Sequence, residues 1–251
     1  MLPVPVLEEA RENLLSLGKS GIGICEHSHR GKAFLAVYEE CEALCREVGG
    51  ISSDYKVLFL QGGASLQFSM IPMNFRSGSQ SADYAVTGHW TLRALEDAQR
   101  LGRARAAASL ESAGFDRVPA QAELDLDPQA AYFYIASNET IHGVEWTIEP
   151  EPPAGVPLIA DMSSDILSRP TAVDRYGLIY AGAQKNLGPS GVTVVLVRDD
   201  LLAQCREDLP SYLRYKIHAD KNSLFNTPPC FAIYILRNVL AVSSEERAPQ
   251  E

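Results

Sequence analysis

The sequence predicts an α/β protein, with a mostly parallel sheet sandwiched between helices. Two observations predict it. From residue 56 onward, short continuous apolar runs alternate with helical segments, as strands buried on both faces do. At 251 residues the chain is also long enough to bury one large core.

The elements follow in order. Residues 3–17 read as a helix, with Val6, Ala10, Leu14 and Leu17 at helical spacing and Gly18 closing it. Residues 21–30 form an irregular loop dense in His and Arg. Residues 31–48 read as a second helix. Phe34, Val37, Tyr38, Cys41, Leu44, Cys45 and Val48 share its apolar face, and Glu39, Glu40, Glu42, Arg46 and Glu47 stay wet. A strand over 56–60 leads through Gln61-Gly62-Gly63-Ala64-Ser65 into an apolar helix ending near Ile71. A strand over 83–87 is followed by the turn Gly88-His89-Trp90 and a helix over 91–101. Residues 103–109, 131–136, 157–160, 178–181 and 191–197 supply further strands. There is no internal repeat or low-complexity tract. By domains, this gives an N-terminal helix over 1–15, one large domain over 16–242, and a polar, frayed tail over 243–251.

The net charge of −10 argues against nucleic acid or an anionic membrane as partner, so any phosphate site must be local. The five cysteines are scattered and contain no CxxC pair. Cys41 and Cys45, one turn apart in an apolar stripe, read as buried free thiols in a reducing cytosol. No apolar run approaches the roughly 20 residues of a membrane span, and no signal-peptide pattern opens the chain. A cytoplasmic protein is expected.

Chemistry concentrates at strand ends. Lys185 follows the apolar run Leu178-Ile179-Tyr180-Ala181 and precedes the turn Asn186-Leu187-Gly188. A lysine held there is aimed into a crevice, where burial would lower its pKa and make it nucleophilic. Asp161 ends another short buried strand. A carboxylate and a Schiff-base lysine on neighbouring strands are what pyridoxal phosphate needs, one for the pyridinium nitrogen and one for the aldehyde carbon. Taken singly, each has a plainer reading, as a surface lysine and a helix-capping aspartate.

Other residues fit around this pair. Gln61-Gly62-Gly63-Ala64-Ser65 opens a helix, whose first N–H groups and the Ser65 hydroxyl would bind an anion; an ordinary glycine turn is the alternative. Trp90, at a strand end, is either a stacking platform for a planar ring or a core tryptophan. Thr140 offers a hydroxyl to a ring oxygen, or caps a turn. His29 and Arg30 suit a substrate phosphate or carboxylate, or a solvated loop. Asn226, before Thr227-Pro228-Pro229, either caps a helix or offers donors to an anion.

Seven segments carry a resemblance. HSHR (27–30), KVLFLQGGASLQFSMIP (56–72), VTGHW (86–90), SNETIHG (137–143), DMSSDILSRP (161–170), YGLIYAGAQKNLG (176–188) and residues 218–229 resemble the phosphoserine aminotransferase family, class-V enzymes that use pyridoxal 5′-phosphate. The resemblance implies the large domain of pyridoxal-phosphate-transferase fold type I. It implies that Lys185 and Asp161 are catalytic and that Trp90 stacks on the cofactor ring. Thr140 then approaches the ring oxygen, and Ala64, Ser65 and Gln184 hold the cofactor phosphate. Asn226 and Thr227 serve the cofactor of a neighbouring subunit in a homodimer, and His29 and Arg30 bind the substrate anion; no metal is implied. The implied reaction moves the amino group of O-phospho-L-serine to 2-oxoglutarate, in serine and potentially pyridoxine biosynthesis.

The family also has a segment before the first helix and a smaller C-terminal domain with a further substrate arginine. Neither is expected here. The alternatives are therefore an impaired cofactor-binding or dimerisation module, or another class-V enzyme. A cysteine desulfurase is disfavoured, because no cysteine sits in a flexible glycine-rich loop.

Overall fold

A computed structural model of the chain describes residues 2–247. Its helices are α1 (Val4–Asn13), α2 (Lys32–Gly49), α3 (Gly63–Phe75), α4 (His89–Leu101), α5 (Asp199–Leu202), α6 (Tyr215–Asp220) and α7 (Cys230–Arg247). Its strands are β1 (Tyr55–Leu60), β2 (Asp83–Val86), β3 (Arg105–Ser109), β4 (Phe133–Ala136), β5 (Asn138–Glu139), β6 (Val144–Glu145), β7 (Leu158–Asp161), β8 (Tyr176–Gly182) and β9 (Thr193–Arg198). Seven strands form one sheet in the order β1-β9-β8-β7-β4-β2-β3, and β5 and β6 form a separate small ribbon.

Only β9 runs against the rest of the main sheet, pairing antiparallel with both β1 and β8. β8, β7, β4, β2 and β3 pair in parallel. The expected mostly parallel sheet is thus present.

Each central strand divides its side chains between two apolar layers, because successive residues point to opposite faces. Phe133, Ile135, Leu158, Ala160, Ile179 and Ala181 face the layer built with α2 and α7. Tyr132, Tyr134, Ile159, Leu178 and Tyr180 face the layer built with α3, α4 and α6. By the same alternation, Asp161, two residues beyond Ile159, belongs to the second face.

Several boundaries differ from those expected. Helix α1 stops at Asn13 rather than Leu17, because Asn13 is claimed by the next segment. Its Oδ1 accepts from Gly18 N–H at 3.0 Å and its carbonyl from Ile24 N–H at 2.9 Å. Leu15, left outside the helix, is 80% exposed. The expected frayed tail is helical as far as Arg247, since Ser243 donates to Val239 O and Ser244 to Glu47 of α2. Residues 248–251 lie outside those described. Helix α3 runs through Pro72 to Phe75 instead of ending near Ile71. Its last turn is pinned by the buried Asn74, whose amide donates to Met70 O at 2.8 Å and to Leu213 O at 2.7 Å. Asn74 Oδ1 accepts from Tyr215 N–H at 3.2 Å. This side chain ties the far end of α3 to the segment leading into α6.

Replacing Asn74 by Ala would leave Leu213 O and Tyr215 N–H buried without that partner. The expected cost is about 2–3 kcal/mol. It should appear as a lower urea midpoint at unchanged slope; an unshifted midpoint would contradict this role.

Candidate active site

The site is built where β1, β2, β4, β7 and β8 end. A cavity of about 290 Å³ opens there, lined by Ala64, Ser65, Trp90, Thr140, Asp161, Gln184 and Lys185 among others. These are seven of the eleven residues singled out from sequence. A second cavity of about 280 Å³, under the C-terminal end of α2, is lined mainly by apolar groups, with Arg169 and Glu47 at its edge.

One wall is the start of α3. Gly62 and Gly63 have φ of 94° and 65°, a left-handed turn that glycine adopts without strain. The helix begins at Gly63, so Ala64 and Ser65 lie in its first turn rather than in the preceding loop. No side chain caps it. Its first N–H groups have no intrahelical partner and carry the positive end of the helix dipole towards the cavity.

A second wall is the start of α4, which takes in Trp90 instead of leaving it in a turn. What places Trp90 is Glu139, a fully buried carboxylate on β5. Its Oε2 accepts from Trp90 N–H at 3.0 Å. Its Oε1 accepts from Thr91 N–H at 2.8 Å and from the Thr91 hydroxyl at 2.7 Å. Gly88 is required opposite, where a Cβ would sit 2.5 Å from the Glu139 carboxyl carbon. Trp90 Nε1 is buried and has no partner among the described residues.

Lys185 lies in the excursion between Gly182 and Thr193, which pair across the β8–β9 hairpin. It donates to Thr140 Oγ1, and its Nζ lies 5.7 Å from the centroid of the Trp90 ring. The burial expected for Lys185 is not found: the residue is exposed, as are Thr140 and Gln184, because the hairpin excursion lies at the cavity rim rather than within the sheet.

Asp161 is the buried group, 7% exposed. It pairs across the sheet with Ala136 on β4 and Tyr180 on β8. Oδ1 accepts from Ser163 N–H at 2.8 Å, and Oδ2 from the Tyr180 hydroxyl at 2.9 Å. Burial raises its pKa above the ordinary carboxylate value, against the opposing pull of Ser163, Tyr180 and the Lys185 charge.

The other four residues sit elsewhere. Asn226 donates to Gln61 Oε1 at 3.2 Å and to Thr227 O. It lies four residues ahead of α7 and does not cap it. Thr227 is exposed, and neither residue lines the cavity. Arg30 is exposed, while His29 is half-buried with Nε2 unpartnered among the described residues; both are outside the cavity lining. Cys41 and Cys45 are buried free thiols, with Cys45 pushed up to about 12 by burial. Glu139, Ser163 and Tyr180 were not singled out from sequence. Their one signal was placement: each is a polar residue within or just beyond an apolar strand run.

Glu139→Ala would leave Trp90 N–H and Thr91 N–H without their acceptor, and the Thr91 hydroxyl with only Gly88 O at 3.1 Å. A loss of about 2–4 kcal/mol is expected in chemical denaturation, with Glu139→Gln intermediate. Wild-type stability in Glu139→Ala would show that this carboxylate does not organise the wall.

Comparison with known proteins places this geometry in a family. The aminotransferase class-V profile matches residues 1–248. Phosphoserine aminotransferase of Herpetosiphon aurantiacus is 50% identical over 246 residues, covering 98% of this chain and 68% of that protein. The structure of phosphoserine aminotransferase from Bacillus circulans subsp. alkalophilus superposes with a TM-score of 0.94 at 48% identity, over 98% of this chain and 68% of that one. The pyridoxal-phosphate-bound enzyme from Trichomonas vaginalis gives 0.93 at 38% identity, over 98% and 73%. The chain spans about two thirds of the length of the relatives it matches. With half its residues shared and its fold superposed almost throughout, the chain belongs to the class-V aminotransferase family, and within it to the phosphoserine aminotransferases.

Proposed function

We propose that the chain binds pyridoxal 5′-phosphate in the Asp161–Lys185 cavity and acts as a phosphoserine transaminase. It would convert O-phospho-L-serine and 2-oxoglutarate into 3-phosphooxypyruvate and L-glutamate, as a step of serine biosynthesis. One observation carries this reading: a buried carboxylate and an exposed amine line one cavity, beside an uncapped helix start and an aromatic ring.

The residues present fit the cofactor. The free N–H groups at the start of α3, the Ser65 hydroxyl and Gln184 would take its phosphate. Trp90, whose ring faces the Lys185 amine, would stack on its ring. Asp161 would hold the proton on the ring nitrogen. When bound, the cofactor supplies a carbonyl carbon for the amino group and an electron sink for the bond broken at Cα. Lys185 Nζ would take the proton from the substrate Cα and hold it as an ammonium for return. Thr140 Oγ1 orients that amine.

His29 and Arg30 would bind the substrate anion. Asn226 and Thr227 would reach the cofactor phosphate of a second copy in a homodimer, which we place in the cytoplasm. Among the described residues no helix is long and apolar enough to cross a membrane. A second reading, cofactor binding without turnover, is favoured by the position of Arg30 and His29 outside the cavity lining.

Borohydride treatment of the cofactor-loaded chain should fix the label to the peptide containing Lys185, and Lys185→Ala should lose it. Wild-type labelling of Lys185→Ala would refute the assignment. Transaminase assay of the same preparation separates the two readings.

If Asn226 and Thr227 serve a neighbouring site, assembly and cofactor affinity are linked by mass action. Sedimentation over a dilution series should then show a dimer strengthened by the cofactor. A monomer that binds it tightly would exclude the shared site.

A further inference from the structure

Behind Asp161 the Tyr180 hydroxyl is part of a longer buried chain, whose further member, Tyr134, has no role so far. Tyr180 OH donates to Asp161 Oδ2 at 2.9 Å, and the Tyr180 and Tyr134 hydroxyl oxygens lie 2.7 Å apart. Tyr180 and Tyr134 are 0% and 1% exposed. Tyr180 has one hydroxyl proton, and Asp161 takes it. Its oxygen therefore accepts at the second contact, and Tyr134 is the donor there. The order of donation is Tyr134 to Tyr180 to Asp161.

That order is not freely reversible. If Asp161 were protonated and donated to Tyr180, Tyr180 would have to donate to Tyr134, whose own proton would then need another acceptor. Among the described residues Tyr134 has no other hydrogen-bond partner. Reversal would orphan a buried donor, which is costly. The chain therefore offers Asp161 Oδ2 a donor rather than an acceptor. A donated hydrogen bond is stronger to a carboxylate than to a neutral carboxyl and so favours the ionised form, and the members polarise one another in a low-dielectric interior.

We propose that Tyr180, backed by Tyr134, is a positioning residue for Asp161: its hydroxyl keeps the carboxylate ionised and turned towards the cavity. In catalysis this rests on the proposed role of Asp161 at the ring nitrogen, because a neutral carboxyl could not hold the ring proton. Burial pulls Asp161 in the opposite direction. The groups that bear on the carboxylate are Tyr180 on β8, Ser163 beyond β7 and Lys185 after β8. Tyr134 on β4 reaches it only through Tyr180, and the charges of Asp161 and of Glu139 on β5 both raise the Tyr134 phenol and keep it protonated.

The test is a titration of the Asp161 side-chain carboxyl by carbon-13 NMR of the full chain without cofactor, with its resonance assigned by its loss in Asp161→Asn. Tyr180→Phe retains the ring and removes the donor. Its Asp161 midpoint should rise by about one to two pH units, the equivalent of one hydrogen bond to a charged group. Tyr134→Phe leaves the first donor in place and should produce a smaller rise, which keeps the proposal testable if Tyr180→Phe folds poorly. Midpoints that coincide with wild type, or a larger rise in Tyr134→Phe than in Tyr180→Phe, would overturn it. Fluorescence titration with pyridoxal 5′-phosphate separates this from the functional reading. Tyr180→Phe should lose affinity at a higher pH than wild type. If Asp161→Asn binds as wild type does at every pH, the assignment of Asp161 fails, whatever the carboxyl titration shows.

Discussion

A carboxylate buried at the end of a strand must be supplied with donors from the elements around it, and the arrangement of this molecule follows from how Asp161 is supplied. Burial alone would neutralise it. Ser163 N–H from its own strand end, the Tyr180 hydroxyl from β8 and the Lys185 charge from the hairpin excursion oppose that. The Tyr180 contact depends on strand register: Asp161 pairs with Tyr180 on one side and Ala136 on the other, so the large donor side chain and a small neighbour fall at the required positions. A slip by one residue would turn Asp161 into the apolar layer under α2 and α7.

The cavity is assembled from two kinds of charge handling. At the α3 end, the backbone presents bare N–H groups, with glycine at the turn and no capping side chain, which suits a ligand phosphate in a chain whose net charge is −10. At the α4 end, the corresponding N–H groups are already taken by Glu139. Two helices start beside one cavity, and only one has its N-terminus open. The closed one serves to hold Trp90. This division explains why the same carbon-rich sheet can carry an anion site and an aromatic platform side by side.

Much of this is legible in the sequence alone. Continuous apolar runs with intervening helices identified the buried, mostly parallel sheet, and seven of the eleven singled-out residues come together in one cavity. Where the reading failed, a particular hydrogen bond or a change of chain direction outweighed the apolar pattern. Apolar spacing carries α1 to Leu17, yet Asn13 is captured by Gly18 and Ile24 and the helix ends there. Polar composition makes residues 243–247 look like a tail, yet hydroxyl groups bonded to Val239 and Glu47 keep them helical. Lys185 was expected to be buried because it follows an apolar strand, and the hairpin to β9 carries it to the cavity rim instead.

The sequence by itself determined which chemistry is available: one lysine and one aspartate after buried strands, a glycine turn before a helix, a tryptophan beyond another strand. Those are local facts, carried by periodicity and by residue type within a few positions. The tertiary structure alone decided what tunes them. Glu139 meets Trp90 across 49 positions, and Tyr180 and Tyr134 are separated by 46. Such pairs are set by strand order and register, which arise from packing the whole sheet between its two helical layers, and no window along the chain contains both partners.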